Sequence, residues 1–557
     1  MAMESIRSRL PLDAIASRVP AKVGDTLWAA NVLREAGVIA PMRPDKLMRI
    51  AEKFVRWGTS PALGSVTSAI EHPDSVAIDD ELGTLTFSQT HRRSNQLARA
   101  LADAGVGEGD GVAIMCRNHR YFFEATMACS KIGAVALYLN TAFAAPQLKE
   151  VMERESTVAL VYDDEFADLL DAEDQDLRRF VGWSDGNADD PTVDDAIGAF
   201  SDGELDPPSE NGRYVILTSG TTGTPKGAQR GSPDGLTPLA AFLSKIPRKA
   251  GETVHIAAPL FHSWGFSHFV LGLPLGARMV LRRKFDPEDA LRTVAEHNAD
   301  TLVVVPVMMQ RILGLDQETR SKYDLSNLKV TAASGSALPG ELATNWMDAF
   351  GDNLYNLYGS TEVAWATIAT PEDMRAAPGT AGRIPRGTVV KIVDEDGAEL
   401  PQGETGRIFV GNEMSFEGYT GGEDKERLEG LLSSGDVGHF DDGDRLFIDG
   451  RDDEMIVSGG ENVFPREVED LLSDHEAVSE VAAMGVDDEE FGQRLRAFVV
   501  LTDGGDASEK DLKDHVKANL ARYKVPREIH FLDELPRNAT GKVLKRELAD
   551  IDPADDS

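Results

Sequence analysis

From residue 111 onward, short apolar runs alternate with longer segments whose apolar positions recur every three or four residues. GVAIMCRN reads as a buried strand, RYFFEATMACSKIGA as a helix and VALYLN as a second strand, followed by a helix around residues 145–155 and the strand TVALVYDD. The alternation returns in ETVHIAAPL, ARMVLRR, PEDALRTVAEHN and TLVVVPV. Continuous apolar strands separated by helices of this length predict largely parallel sheets covered on both faces. Past Thr388 the rhythm changes to short strands with Gly and Asp turns (VVKIVDEDGAEL, TGRIFVG, RLFIDG), which predicts a small antiparallel barrel or meander. A hydrophilic stretch at 449–454 then precedes a new unit. Pro465 opens a helix there, VSEVAAMGV and RLRAFVVLT supply strands, and DLKDHVKANLARY supplies another helix. The expected fold class is α/β. A helical extension covers residues 1–60, a large N-terminal domain of parallel-sheet βα subdomains plus a small β-barrel covers 61–450, and a compact α+β domain covers 454–557.

The helical lead-in has a face of its own. Arg43, Lys46, Arg49, Lys53 and Arg56 alternate with Leu47, Met48, Ile50, Phe54, Val55 and Trp57 at helical spacing. The spacing predicts an amphipathic helix packed on its own protein. The competing expectation is peripheral membrane contact, with this helix resting on anionic lipid. No run of about 18 uncharged apolar residues suggests a membrane span. The N-terminus carries Glu4 and Asp13 and does not read as a signal peptide.

Composition narrows the function classes. A formal net charge of −37 over 557 residues argues against a nucleic-acid partner, because the phosphate backbone would be repelled. The carboxylates are scattered, and those between residues 163 and 206 read as a surface elaboration. The two cysteines, Cys116 and Cys129, fall in a predicted strand and helix. They read as small core residues rather than as a disulfide or metal framework, which fits a reducing, cytoplasmic setting.

The densest chemistry is YVILTSGTTGTPKG at 214–227. An apolar strand runs into Thr218, Ser219, Gly220, Thr221, Thr222 and Gly223, followed by Lys226. Glycines and small hydroxyl residues let backbone N–H and side-chain O–H groups surround phosphate oxygens, and the lysine adds a cation. The P-loop of nucleoside triphosphatases needs Gly before its lysine and Ser or Thr after it. Here Pro225 precedes Lys226 and Gly227 follows, so that class is disfavoured.

TSGTTGTPKG resembles the phosphate loop of the adenylate-forming superfamily, which holds acyl-CoA synthetases, adenylation domains of peptide synthetases and firefly luciferase. Further matches follow in that family's order: SGSALPGE at 334–341, YGSTE at 358–362, GD at 435–436, GRDD at 450–453, SGGENVFPREVE at 458–469 and PRNATGK at 536–542. The ordered set spans most of the chain and is far more specific than any one member.

The resemblance implies ATP, Mg²⁺ and coenzyme A as cofactors and a carboxylic acid as substrate. It implies that Tyr358 stacks on adenine, with Asn356, Gly359 and Ser360 beside it. Thr361 would bind phosphate, Glu362 and Thr221 would hold Mg²⁺, and Ser334, Gly335 and Ser336 would lie against the adenine. Asp436 and Arg451 would hold the ribose, and Lys542 would bridge the substrate carboxylate and the α-phosphate. It further implies a mobile C-terminal domain that swings about Asp453, bringing Gly459 and Gly460 beside the pantetheine in a second half-reaction.

FHSWGF at 261–266 matches the region where an aromatic residue, here His262, gates the carboxylate end of the acid. The competing reading of His262 is a satisfied core histidine. Residues 307–309 and 363–365 line an apolar tunnel or belong to the core, and no Asp or Lys among them suits a substrate ammonium. The expected activity is a fatty-acid–CoA ligase for medium or long chains, within lipid metabolism. The alternatives are an acyl-AMP ligase or amide synthetase that passes the adenylate to an amine or carrier protein, and a silent ATP-binding scaffold. The short spacing from Glu362 to GRIPRG favours CoA transfer over the acyl-AMP ligase. A scaffold would be expected to lack one of Lys542, Glu362 or Asp436, and all three are present.

Overall fold

The computed structural model describes residues 12–551 apart from 59, 171–176, 219–225, 231–234, 415, 423, 453–455, 459–460, 489–491, 503, 521–523, 539–540 and 550. The two predicted βα regions form two large sheets. In the first, the strands Leu354–Tyr358, Val330–Ala333, Thr301–Val304, Thr253–Ile256, Arg278–Leu281 and Val76–Asp80 lie side by side and parallel. Antiparallel Thr367–Ala369 and Gly83–Thr86 close its edges. In the second, Tyr214–Thr218, Val135–Tyr138, Gly111–Met115, Thr157–Tyr162 and Arg178–Val181 are parallel, extended by antiparallel Lys226–Arg230 and Phe416–Tyr419. Every residue of Gly111–Met115 is buried, as an uninterrupted apolar run requires when helices cover both faces.

The segment past Thr388 forms a five-stranded antiparallel sheet of Val389–Val393, Gly406–Gly411, Leu431–Phe440, Arg427–Leu428 and Leu446–Arg451. A separate core, including Val463, Val468, Leu472, Leu512 and Val516, underlies the last sheet. There the long pair Val478–Asp488 and Gly492–Leu501 is flanked by Ile456–Ser458 and Glu528–Phe531. Cys116 and Cys129 are both free and buried.

The N-terminal amphipathic helix exists as Pro44–Trp57, with Trp57 buried and Ile50 packed beside it, but part of its apolar side faces outward. Lys53 is buried and paired with Glu204 at 2.6 Å, Arg56 pairs with Asp206 at 2.6 Å, and the Lys46 ammonium donates to the Glu71 carbonyl. Leu47, Met48, Phe54 and Val55 point outward, Val55 being 84% exposed. Lys46, Lys53 and Arg56 are therefore engaged by the protein itself, while Arg43 and Arg49 are exposed. The acidic stretch is also more than a surface elaboration: Glu204 and Asp206 hold this helix, and Asp194 binds Arg93 and Tyr121. Among the described residues, no helix is long and apolar enough to cross a membrane.

One buried polar cluster fixes the helix that begins at His262. Trp264 donates to the Val304 carbonyl at 3.0 Å, tying the helix Ser263–Gly272 to the neighbouring strand. From the same helix, His268 meets the guanidinium of Arg248 at 2.9 Å. Burial, together with that guanidinium, holds the His268 pKa far below its ordinary value, so its ring is neutral. Arg248 also donates to Glu252, whose second oxygen accepts from Thr301 at 2.8 Å. Arg248→Met would leave the Glu252 carboxylate buried without a countercharge. Such a change costs about 3–5 kcal/mol, to be measured by chemical denaturation, and adding Glu252→Gln should recover part of the loss.

Candidate active site

In parallel sheets ligands collect beyond the carboxyl ends of the strands. Here Thr301–Val304, Val330–Ala333 and Leu354–Tyr358 run into Val305, into Ser334 to Ser336, and into Gly359 to Glu362, all lining one cleft of about 2490 Å³. Asp436 and Arg451 reach the same cleft from the antiparallel sheet, where they are register partners, and Lys542 reaches it from the C-terminal unit.

Tyr358 and Asp436, 78 residues apart in sequence, are joined by a 2.5 Å hydrogen bond from the phenol to the carboxylate. Burial and the adjacent Asp436 charge raise the Tyr358 phenol well above its ordinary pKa, so it remains a donor. Burial pushes the Asp436 carboxyl up, offset in part by Arg451, at 3.4 Å, and by the Tyr358 hydroxyl. Below it, Asn356 is buried and its Oδ1 has no hydrogen-bond partner among the described residues. Ser334 is buried and donates to the Leu357 carbonyl at 2.8 Å, fixing the loop that carries Gly335 and Ser336. The turn after Tyr358 is tight: a Cβ on Gly359 would stand 2.1 Å from the Ala364 carbonyl oxygen, and Ala364 itself has φ 61. Glycine is needed at 359 for that approach.

Glu362 is buried, and its two oxygens accept from the Tyr419 hydroxyl at 2.6 Å and the Ser360 hydroxyl at 2.8 Å. Burial opposes its charge. The Tyr419 hydroxyl, the Lys425 ammonium and the Ser360 hydroxyl outweigh that penalty and hold the carboxyl below its usual range. A buried, ionised oxygen donor of this kind suits a hard cation such as Mg²⁺. Lys226 lies over the Tyr419 ring at 5.5 Å, and its strand pairs back onto Thr218. Ser219, Gly220, Thr221, Thr222 and Gly223, between those strands, lie outside the described residues, as do Gly459, Gly460 and Asp453. Thr361 lines the cleft.

His262 stands at the head of its helix in the cleft wall. Burial drives its pKa down to about 3, so the ring is neutral at any ordinary pH. Its Nε2 is buried without a partner among the described residues. His262 packs against the Phe261 ring, and the same cleft carries Leu239, Phe242, Val270, Leu271, Val307 and Leu313 among its lining residues.

Lys542 follows a turn closed by reciprocal hydrogen bonds. Its backbone N–H donates to Asn538 Oδ1, and its carbonyl accepts from the Asn538 N–H, both at 2.9 Å. Gly541 has φ 80, and a Cβ there would fall 2.2 Å from Val307 Cγ1, so the turn is pressed against the wall of the large domain. Sequence patterning did not single out Tyr419 or Lys425. Neither lies within a matched motif, and only the pairing of Phe416–Tyr419 with Lys226–Arg230 brings the first of them to Glu362.

The family model for AMP-binding enzymes matches residues 66–420, and that for the AMP-binding enzyme C-terminal domain matches 467–542. The chain is 29% identical to the fatty acid–[acyl-carrier-protein] ligase ScoC of Streptomyces coeruleorubidus, over 86% of this chain and 94% of that one. It is 32% identical to a feruloyl-CoA synthase of Amycolatopsis sp, over 87% and 98%. Among solved structures, the anthranilate CoA ligase AuaEII in complex with anthranoyl-AMP superposes with a TM-score of 0.79 at 25% identity, over 88% of this chain and 96% of that one.

Proposed function

The chain belongs to the AMP-binding enzyme family, and we propose that it is an ATP-dependent acid–CoA ligase acting on medium- or long-chain fatty acids. The observation that carries this reading is the convergence on one cleft of the Tyr358–Asp436–Arg451 cluster, the ionised Glu362, the neutral His262 and Lys542.

In this reading the adenine lies on Tyr358, and its exocyclic amine donates to the orphan Asn356 Oδ1. Asp436 accepts from the ribose hydroxyls while Tyr358 and Arg451 hold its carboxylate in place. The acid's carboxylate oxygen attacks the α-phosphorus, and the bond to the bridging oxygen breaks, its electron pair leaving with pyrophosphate. Both reactants are anions, so the protein's work is positioning and charge compensation rather than covalent catalysis. Lys542 contributes the ammonium between carboxylate and α-phosphate, and Lys226 and Thr361 contact the outer phosphates. Glu362, with Thr221, would hold Mg²⁺, which would further neutralise the phosphates when bound. His262, uncharged, orders the carboxyl end without adding a competing ion. The thiol half-reaction follows a swing of the C-terminal domain, residues 454–557, about Asp453, which withdraws Lys542 and brings Gly459 and Gly460 to the pantetheine.

The apolar residues of the cleft lining, Leu239, Val270, Leu271, Val307 and Leu313, support an aliphatic acid. ScoC, by its name a ligase to an acyl-carrier protein, keeps the second reading in view: an adenylate handed to a carrier or an amine. A panel of aliphatic and aromatic acids, assayed with ATP and CoA while AMP and acyl-CoA are both measured, decides between them. Equimolar AMP and acyl-CoA from a C8–C16 acid is the expected result. Acyl-AMP accumulating without thioester would reject the CoA assignment, and preference for an aromatic acid would reject the fatty-acid one.

A further inference from the structure

Lys425 is a cation of the cleft that no motif accounts for. It is half-buried, and its ammonium donates to the Ser434 carbonyl at 3.2 Å. It stands 3.3 Å from where a Cβ on Gly435 would lie, with an Arg451 guanidinium nitrogen 3.5 Å from the same point. Its charge is felt at both Asp436 and Glu362, the expected ribose and metal ends of the site. Yet among the described residues no carboxylate lies within ion-pair distance of it, although the chain carries a net charge of −37. The reason lies in its neighbours. Asp424 is engaged by Arg427 at 3.2 Å, Glu426 pairs with Arg407, and Asp452 binds Arg407 at 2.8 Å. Arginines draw off these three carboxylates, and the Lys425 ammonium lines the cleft.

We propose that Lys425 is a phosphate-binding residue of this enzyme: held in the cleft beside Gly435 and Arg451, it binds the polyphosphate of ATP and compensates the charge that collects on pyrophosphate as the α-phosphorus bond breaks. The inference rests on the ATP-dependent reading above and adds to it a group outside every matched motif. An ammonium with two N–H donors beyond the one given to Ser434 suits a polyphosphate, since charge-assisted hydrogen bonds of this kind are the strong ones.

The test compares wild type with Lys425→Met, Lys425→Gln and Lys425→Arg in acid-dependent ATP–pyrophosphate exchange, with AMP as a competitive inhibitor in parallel. Losing a hydrogen bond to a charged group predicts a rise in KM for ATP of about 10- to 100-fold in the Met and Gln variants. KM for the acid and inhibition by AMP should stay within about threefold, because AMP lacks the β- and γ-phosphates; the Arg variant should recover most of the ATP affinity. A residue that merely braced the Ser434 turn would weaken AMP and ATP equally and lower Tm, and that outcome overturns the proposal. Unchanged KM for ATP also overturns it. Wild-type protein with no acid-dependent exchange at all would instead strike the ATP-dependent reading, which separates the two failures.

Discussion

Lys542→Ala is expected to cut acid-dependent adenylation by on the order of 10²–10³, the usual loss when one preorganised contact to developing charge is removed. Transfer of supplied acyl-AMP to CoA should remain near wild type, because that half-reaction is proposed to run with the lysine withdrawn. The structure gives the prediction its local basis. Lys542 is solvent-exposed but lines the cleft shared with Tyr358, Glu362 and Asp436, and the Asn538 hydrogen bonds close its turn. The side chain braces no core, so Tm should not change, and a loss of activity would report chemistry. Equal loss of both half-reactions would contradict the two-state use of the C-terminal domain. Gly541→Ala should act in the same direction, since positive φ and the Val307 contact both disfavour a side chain there.

Glu362→Gln is the second large effect, expected at about 10²-fold in adenylation at saturating ATP. The substitution keeps the shape and one accepting oxygen for the Tyr419 hydroxyl, while the Ser360 hydroxyl meets an amide donor and must turn, a local change that the fold should survive. What disappears is the negative charge, which the surrounding hydroxyls and Lys425 hold in place against burial. Raised Mg²⁺ should recover part of the activity, and thioester formation from acyl-AMP, which has already lost its outer phosphates, should be nearly unaffected. An enzyme that adenylates normally with Gln at 362 would remove Glu362 from the metal-binding role.

These two variants act on opposite ends of one reaction, and their sites differ in how they could be found. Glu362 and Lys542 sit in short motifs, YGSTE and PRNATGK, and their expected roles come from the resemblance that the ordered set of motifs carries. His262 was legible only in part. The match of FHSWGF to a gating region suggests a role for it, but its neutrality and its orphan nitrogen follow from burial, which no linear pattern records. Lys425 was not legible at all. Surrounded by Glu423, Asp424 and Glu426 in sequence, it reads as one charge in a solvated run. Only the pairing of its neighbours with Arg407 and Arg427 leaves it facing the cleft.

The chain by itself determined the parallel βα sheets, the change to antiparallel strands past Thr388 and the α+β unit opened by Pro465. Periods of two and 3.6 residues and the placement of Gly and Pro are properties of neighbouring residues. Tertiary structure alone decided which way the N-terminal helix faces and what the acidic segment is for. Lys53 meets Glu204 and Arg56 meets Asp206 across about 150 residues of chain. Such partners depend on strand order and on which surfaces come to lie together. A charge alternating with apolar residues therefore specifies a helix, while the face it turns toward the protein is set by whatever opposite charge the fold delivers to it.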